Sequence, residues 1–389
     1  MGYHERMPRY PGLARNLLDI GGSLYSSLTA RLAAHRGEVY PFHVGDTWLE
    51  PAAGCRMEDL LVSQHPGMHR YAPPRGDRRL VEAVVERMRQ RTGADTQPGD
   101  VLITTGATGA LGAVLGAIVE PGDEVLLLAP YWPLIPGIVR CFHATPRAVS
   151  VRHADHSPDA LLESLRQARG ARTVALYLST PNNPTGRVLP RRWVEALVEW
   201  ALAEDLWIVT DEVYEDYVFC GEHTYARPLA PERTFSSHSF SKAFGMAGNR
   251  CGYVVGPAGR MDDVCKVSTH AFYSAPTAGQ LAAVRALDGR GDAWVADVRE
   301  QYRETGSQAA DRLGIARPEG STFLFLDVAE RLDERGLLGF LEDCADRGLF
   351  LAPGTSFGDY PTHVRLCYTA ASPDIVRRGI DELALLLGR

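Results

Sequence analysis

The chain has 389 residues, 45% of them hydrophobic and 23% charged, which excludes wholesale disorder and a small disulfide-stapled fold. Its 41 basic and 48 acidic side chains give a net charge of -7, without a basic cluster, and this disfavours nucleic-acid binding. Seven scattered cysteines form no C-x-x-C pair, and no segment reaches the roughly 18 apolar residues of a membrane span. We therefore expect a cytoplasmic protein with reduced thiols and no metal site.

Short apolar runs alternate with segments of helical period between residues 101 and 256, a pattern typical of β-α-β units around a mainly parallel sheet. The seven candidate strands are 101–105, 124–129, 147–151, 173–178, 206–211, 233–239 and 251–256. After about residue 290 the pattern changes to helices at 292–313, 329–346 and 374–387 with short β-like runs at 322–327, 348–353 and 363–368.

These elements predict an α/β fold with two domains. Residues 51–289 would form a large domain, a mainly parallel seven-stranded sheet with helices on both faces. Residues 290–389 would form a smaller α+β domain, and residues 1–50 would supply an N-terminal arm and part of the small domain. A helix is expected in the arm over residues 23–36.

The most informative segment is SFSKAFGMAGNRCGY, residues 239–253, in which Lys242 comes just after a predicted strand. It contains Gly245, Gly248 and Gly252, and each glycine would cost a helix about 1 kcal/mol relative to alanine. Close approach of the backbone to a ligand explains these glycines better than an ordinary helix start with an exposed lysine.

Three further loops follow predicted strands, at the edge where open α/β sheets bind ligands. They are STPNNPTG (179–186), DEVY (211–214) and GATGALG (106–112). The last opens an apolar helix, whose free N–H groups could bind a phosphate, although it is not the dinucleotide pattern G-x-G-x-x-G. Taken singly, each loop also has a purely structural explanation: the first fits a turn, the second a helix cap and the third a helix start. Tyr131 and Trp132 follow another strand and fit either the core or stacking on a flat ligand.

The ordered set of segments resembles the fold-type I pyridoxal-5'-phosphate (PLP) enzymes, specifically the class I/II aminotransferase family, in an aspartate aminotransferase-like form. The resemblance covers nearly the whole chain. It is carried by YPFHVGDTWLEP, HRYAPPRGDRRLVEAV, TTGATGAL, EPGDEVLLLAPYWP, STPNNPTGRVL, DEVYEDYVF, SFSKAFGMAGNRCGY, APGTSFG and HVRLCYTAAS.

The resemblance implies that the large domain binds PLP and that Lys242 forms a Schiff base with its aldehyde, then shuttles a proton between the substrate Cα and the cofactor. Asp211 would pair with the pyridinium nitrogen, which makes the ring an electron sink. Asn183 and Tyr214 would hydrogen-bond the ring phenolate, and Trp132 would stack on the ring face.

The resemblance also implies a phosphate site and a substrate site. The phosphate would be held by Gly106, Ala107, Thr108, Ser239 and Arg250. Tyr71 would reach the phosphate from the partner subunit of a homodimer with active sites at its interface. Arg365 would bind the substrate carboxylate, beside Asn183 and the backbone of Gly45.

The implied reaction is amino transfer between an amino acid and a 2-oxo acid. A PLP-dependent lyase, cyclase or oxidase remains an alternative, because the same Schiff base supports these reactions. A third reading, the effector-binding half of a transcription regulator, would need a DNA-binding domain ahead of Gly45, where no helix-turn-helix pattern is seen.

Two departures from the family pattern bear on the substrate. Thr108 stands where some members that act on acidic substrates carry a lysine. Trp48, with Leu24 and Tyr25, could narrow the side-chain pocket for a bulky or non-standard amino acid.

Overall fold

The computed structural model describes residues 33–151 and 157–389, together with Ala14, Asn16, Ile20, Leu28 and Arg31. The helix predicted over residues 23–36 lies largely outside the described residues, as do Leu24 and Tyr25.

A seven-stranded sheet forms the centre of the molecule. Its strands are β1 (Val101–Thr104), β2 (Glu124–Ala129), β3 (Thr145–Ser150), β4 (Thr173–Ser179), β5 (Trp207–Asp211), β6 (Thr234–Ser239) and β7 (Gly252–Val255). They lie in the order β1-β7-β6-β5-β4-β2-β3, and β7 runs antiparallel to both its neighbours while the other pairs are parallel. The predicted mainly parallel seven-stranded sheet is thus confirmed.

A second, antiparallel sheet follows in the C-terminal part of the chain. Its strands are β8 (Phe323–Asp327), β9 (Ala352–Pro353) and β10 (His363–Cys367), in the order β8-β10-β9.

The α-helices are amphipathic or apolar segments that cover the two sheets. They are α1 (Arg78–Thr92), α2 (Gly106–Ile118), α3 (Ile135–Cys141), α4 (Pro158–Ala168), α5 (Arg191–Ala203), α6 (Phe240–Ala243), α7 (Met261–Phe272), α8 (Thr277–Arg285), α9 (Gly291–Leu313), α10 (Gly336–Asp346) and α11 (Pro373–Leu386). Within the described residues, none of these helices is long and apolar enough to cross a bilayer.

Successive side chains of a strand point to opposite faces of the sheet, and apolar side chains on both faces explain why helices cover both. In β2, Val125 and Leu127 pack with α2 and α7, whereas Leu126 and Leu128 pack with α4 and α5 on the opposite face. Strands buried on both faces read as continuous apolar runs, and this is why the sequence predicts them well.

Two predicted elements of the C-terminal part differ from the structure. The helix expected over 329–346 is interrupted before Gly336, because the Asp333 carboxylate accepts a hydrogen bond from Arg335 N at 2.9 Å and Gly336 adopts a φ of 60°. The strand expected over 348–353 shrinks to β9, since Phe350 N donates to Tyr40 O at 3.1 Å instead of pairing with β10.

Candidate active site

The loops that follow β1, β2, β4, β5 and β6 meet at one edge of the large sheet, because these strands run in the same direction. They border a partly open cavity of about 150 Å³. Nine of the predicted site residues line it: Ala107, Thr108, Trp132, Asn183, Asp211, Tyr214, Ser239, Lys242 and Arg250.

Lys242 lies in α6, a short helix whose start is capped by the Ser239 hydroxyl, which accepts from Ser241 N at 3.0 Å. Its Nζ donates a hydrogen bond to the carbonyl oxygen of Gly45. The Tyr217 hydroxyl supports the lysine from behind by donating to Lys242 O at 2.9 Å. Burial lowers the pKa of Lys242, so the neutral amine is easier to form than in water.

The sequence contains only one other lysine, Lys266. Counting the lysines would therefore have narrowed the candidates for a cofactor-binding amine to two before the structure was known. Lys266 lies on the surface of α7, with its Nζ 2.7 Å from Asp263 Oδ1. A buried amine facing the cavity is therefore a property of Lys242 and not of Lys266.

Asp211 ends β5 and is buried at the base of the cavity. Burial raises the pKa of its carboxyl to about 6, against the opposing effect of two hydrogen bonds. The first comes from the Tyr177 hydroxyl to Oδ2 at 2.9 Å, and the second from Val213 N to Oδ1 at 3.3 Å. Sequence reasoning missed Tyr177, because an aromatic residue in a buried strand is read as core.

Asn183 and Arg365 meet at the side of the cavity. Arg365 in β10 is buried, and its Nη1 donates to Asn183 Oδ1 at 3.1 Å while its Nη2 donates to His43 O at 2.6 Å. The guanidinium lies over the Phe323 ring, 4.4 Å from its centroid. Gly45 passes close to the same ring, and a Cβ at this position would lie 3.1 Å from Phe323 Cζ.

Tyr214 follows β5, and its ring packs edge-on against Phe323 with 5.5 Å between centroids. Burial raises the pKa of the Tyr214 phenol, which therefore stays protonated in the neutral range. Trp132 is half-buried beside the same cavity.

The N-terminus of α2 lies beside the Arg250 guanidinium. Gly106 has a φ of 74°, and a Cβ there would lie 2.6 Å from Arg250 Nη2. A Cβ on Gly252 would lie 2.8 Å from the carbonyl carbon of Gly106. Arg250 is fixed by donating to Ala247 O at 2.8 Å and to Thr105 O at 3.3 Å. The two glycines thus let Arg250 and β7 pack against the start of α2. Free helix N–H groups and a guanidinium lie together there, a combination that favours anions.

Tyr71 is not among the residues that line the cavity of its own chain. Its side chain is 85% exposed, and its ring packs on Tyr273 at 4.8 Å between centroids. The expectation that Tyr71 serves the site of a partner subunit stays a prediction.

A buried charge network lies behind Asp211. His238 in β6 has Nδ1 3.1 Å from Glu215 Oε1 and Nε2 3.6 Å from Glu212 Oε2. Arg91 pairs with Glu215 at 3.2 Å. The two carboxylates raise the pKa of His238 against the effect of its burial, and a protonated His238 places positive charge near Asp211.

Comparison with known proteins identifies the family. A model of aminotransferase class I and II matches residues 39–383. A probable aspartate/prephenate aminotransferase of Thermus aquaticus is 35% identical over 329 residues, which cover 82% of this chain and 84% of that one. An arginine–pyruvate transaminase of Pseudomonas aeruginosa is 31% identical over 372 residues, covering 88% and 93% of the two chains.

Solved structures are similar over nearly the whole fold. A double mutant of the aspartate aminotransferase of Thermus thermophilus superposes with a TM-score of 0.88 at 29% identity, covering 97% of this chain and all (100%) of that one. N-succinyldiaminopimelate aminotransferase of Mycobacterium tuberculosis gives a TM-score of 0.87 at 27% identity, covering 96% and 100% of the two chains. The chain therefore belongs to the class I and II aminotransferase family and is an aminotransferase enzyme.

Proposed function

We propose that this aminotransferase holds pyridoxal 5'-phosphate on Lys242 and moves an amino group from an amino acid, bound by Arg365, to a 2-oxo acid. The observation that carries the proposal is the position of Lys242 in one cavity with the buried Asp211 carboxylate, Asn183 and a helix N-terminus. Arg365 does not line this cavity but reaches it through its hydrogen bond to Asn183. These groups match the amine, the ring partner, the carboxylate site and the phosphate site that the reaction needs.

The residues fit the cofactor on physical grounds. Asp211 is a buried carboxylate with raised pKa, a costly arrangement that a cationic ring nitrogen would relieve. Gly106 lets the Arg250 guanidinium lie against the start of α2, because a Cβ at this position would lie 2.6 Å from Arg250 Nη2. When bound, PLP would supply an electron sink for the carbanion formed at the substrate Cα.

Each of these residues would have its own role in the reaction. Lys242 would carry the cofactor on Nζ and, once the substrate amine has replaced it, would move the proton at Cα, with Gly45 O holding Nζ in place. Proton transfer by such a positioned amine contributes about 10²–10⁴ in rate. Asp211 would keep a proton at the ring nitrogen, while Asn183 and Tyr214 would donate to the ring oxygen. Arg365 would clamp the carboxylate and fix which bond to Cα stands perpendicular to the ring.

The substrate side chain is a separate proposal. The relatives are named for substrates as different as aspartate, prephenate and arginine, so family membership does not select one. The described cavity-lining residues include two cations, Lys242 and Arg250, both assigned above to the cofactor, and position 108 is threonine. We therefore expect a preference for amino acids whose side chain carries no second carboxylate. Trp48 is 43% exposed and is not among the residues that line the cavity, so its expected effect on the side-chain pocket stays a prediction.

We also propose a homodimer with active sites at its interface. The segment around Tyr71 carries several exposed apolar side chains, as expected of a protein contact surface. They are Met57 at 46%, Leu61 at 54%, Val62 at 69% and Tyr71 at 85% exposure.

The division into domains 51–289 and 290–389 and a cytoplasmic location also remain parts of this proposal. All seven cysteines are free thiols, as in a reducing compartment.

The test is the half-reaction followed by absorbance. The purified protein loaded with PLP is mixed with single amino acids, and a reacting amino acid should bleach the visible band of the cofactor. Addition of a 2-oxo acid should restore it. Release of ammonia without any need for a 2-oxo acid would contradict amino transfer and favour a lyase.

A further inference from the structure

Tyr177 and Asp211 lie on adjacent parallel strands, near the carboxyl end of the large sheet. In the pairing of β4 with β5, Tyr177 is opposite Val209 and Ser179 is opposite Asp211. Tyr177 is completely buried, with 0% exposure, and its hydroxyl donates to Asp211 Oδ2 at 2.9 Å. This hydrogen bond therefore joins two buried side chains, and its electrostatic effect is larger there than at the surface.

We propose that Tyr177 is a positioning residue of the active site: its hydroxyl orients the Asp211 carboxylate and keeps it anionic, so that the shared proton stays on the ring nitrogen of the cofactor. The inference rests on the proposed function, since it concerns a group that acts through Asp211 and does not touch the substrate.

Apart from a hydrogen bond with the Ser179 side chain, the hydroxyl of Tyr177 has Asp211 as its partner. Its ring packs among Val125, Leu127 and Val209, a cluster in which phenylalanine would make the same apolar contacts. What phenylalanine cannot supply is the donor to Asp211 Oδ2.

The carboxylate is held by two donors, one on each oxygen. Tyr177 binds Oδ2 and Val213 N binds Oδ1, at 2.9 and 3.3 Å. Two fixed oxygens define the plane of the carboxylate. Loss of the Tyr177 bond would leave Oδ2 without this donor. Only the longer Val213 N contact to Oδ1 would then hold the carboxylate, which could rotate more freely.

The charges around Asp211 show why the donor matters for protonation. Burial favours the neutral acid, and the neighbouring Glu212 carboxylate acts in the same direction. The Tyr177 hydroxyl, Val213 N and the charge of His238 on β6 act in the opposite direction. Burial also raises the pKa of Tyr177 well above its ordinary value, so this phenol remains a donor over the whole neutral range. Without it, Asp211 becomes more basic and competes for the proton of the ring nitrogen.

The experiment compares Tyr177→Phe with Tyr368→Phe in the PLP-loaded enzyme. Tyr368 is a matched control, because it is also buried and its hydroxyl donates at 2.9 Å to a backbone carbonyl, that of Ser321. The main readout is the ¹⁵N chemical shift of PLP labelled at the ring nitrogen, which reports directly whether this nitrogen carries a proton. Steady-state kcat and KM are measured in parallel.

In Tyr177→Phe we expect the ¹⁵N signal to move toward the unprotonated pyridine value and kcat to fall about tenfold, with KM for the amino acid changed less than about twofold. Tyr368→Phe should leave both the signal and kcat near the wild type. An unchanged ¹⁵N signal in Tyr177→Phe, or an equal change in both variants, would overturn the inference.

A second variant guards against a folding defect. Site-specific replacement of Tyr177 by 3-fluorotyrosine keeps the shape of the ring but makes the hydroxyl a stronger donor. The fraction of protonated ring nitrogen should then equal or exceed that of the wild type, whereas a fall would contradict the inference. Failure of the wild-type protein to bind PLP at Lys242 would instead contradict the proposed function, so the two failures are distinguishable.

Discussion

Arg365 donates from Nη1 to Asn183 Oδ1 at 3.1 Å, and this bond joins the small sheet to the loop that follows β4 of the large sheet. The Arg365 guanidinium therefore lies next to the Asn183 amide, which faces the cavity. A substrate carboxylate could bind between the two with the charge-assisted geometry that arginine favours.

Arg365→Ala should therefore lower kcat/KM for amino acids by roughly 10²–10³-fold, because hydrogen bonds to a charged group contribute about 1.5–3 kcal/mol each. Reaction with the corresponding amine, which lacks the carboxylate, should change little. Steady-state kinetics with both substrates gives the comparison. Arg312→Ala is a suitable control, since Arg312 pairs with Asp381 on the surface at 2.8 Å. An equal loss for the acid and the amine would refute the role of Arg365 in carboxylate binding.

Gly106→Ala should weaken cofactor binding about 10- to 100-fold. The new Cβ would lie 2.6 Å from Arg250 Nη2 and would need a positive φ of 74°. Gly93→Ala is the matched control, because Gly93 also has a positive φ, 67°, but has no atom within 4 Å of the added Cβ. Equilibrium dialysis of PLP should show a normal affinity for Gly93→Ala, whose defect is confined to stability. Equal cofactor affinities in the two variants would contradict a phosphate site at Gly106.

Asp211 should make the stability of the cofactor-free protein depend on pH. Its pKa in the folded protein is about 6, above the ordinary value of 3.8 for an aspartic acid, so the folded state binds the proton more tightly than the unfolded chain does. The stabilising contribution of this proton is complete below about pH 4 and is lost as the pH rises through about 6.

Asp211→Asn removes this titration. The free energy of unfolding of the variant relative to the wild type should rise by about 2 kcal/mol between pH 4 and pH 7, both without cofactor. Urea unfolding at several pH values measures it. A difference that stays constant over this range would show that Asp211 is not the buried group that titrates.

Tyr71 should act across the subunit interface, and mixed dimers test this. A Tyr71→Ala chain paired with a Lys242→Ala chain would contain one site with both defects and one intact site. Such a dimer should recover up to about half of the wild-type activity at limiting PLP, although each parent dimer is impaired. If mixing restores nothing beyond the activity of Tyr71→Ala, Tyr71 does not serve the partner's site.

Most strands of the large sheet could be predicted because they are buried on both faces, whereas the edge strand β3 is largely exposed. The loops at the strand ends could be predicted because they combine glycines, Lys242, Asp211 and Asn183 in an order that the family shares. In contrast, Tyr177 could not be assigned a role from its position, since the same residue in a buried strand fits the core. Its partner Asp211 is 34 positions away in the sequence and becomes a neighbour only through the parallel pairing of β4 and β5.

Local side-chain bonds explain the differences in the C-terminal part. The apolar period of residues 329–346 favours one helix, yet the Asp333 carboxylate bonds to Arg335 N and ends the first turn early. The periodicity of apolar residues indicates which face of a helix is buried, whereas a hydrogen bond from a single side chain can determine where the helix begins.

Lys242 Nζ is the amine that we expect to bind the cofactor covalently. Reduction of the PLP-loaded protein with borohydride, followed by peptide mass mapping, tests this binding directly, and the chain offers only two lysines. We expect the phosphopyridoxyl group on the peptide that contains Lys242, its loss in Lys242→Ala, and full labelling in Lys266→Ala. A label on Lys266, or none in the wild-type protein, would contradict the account.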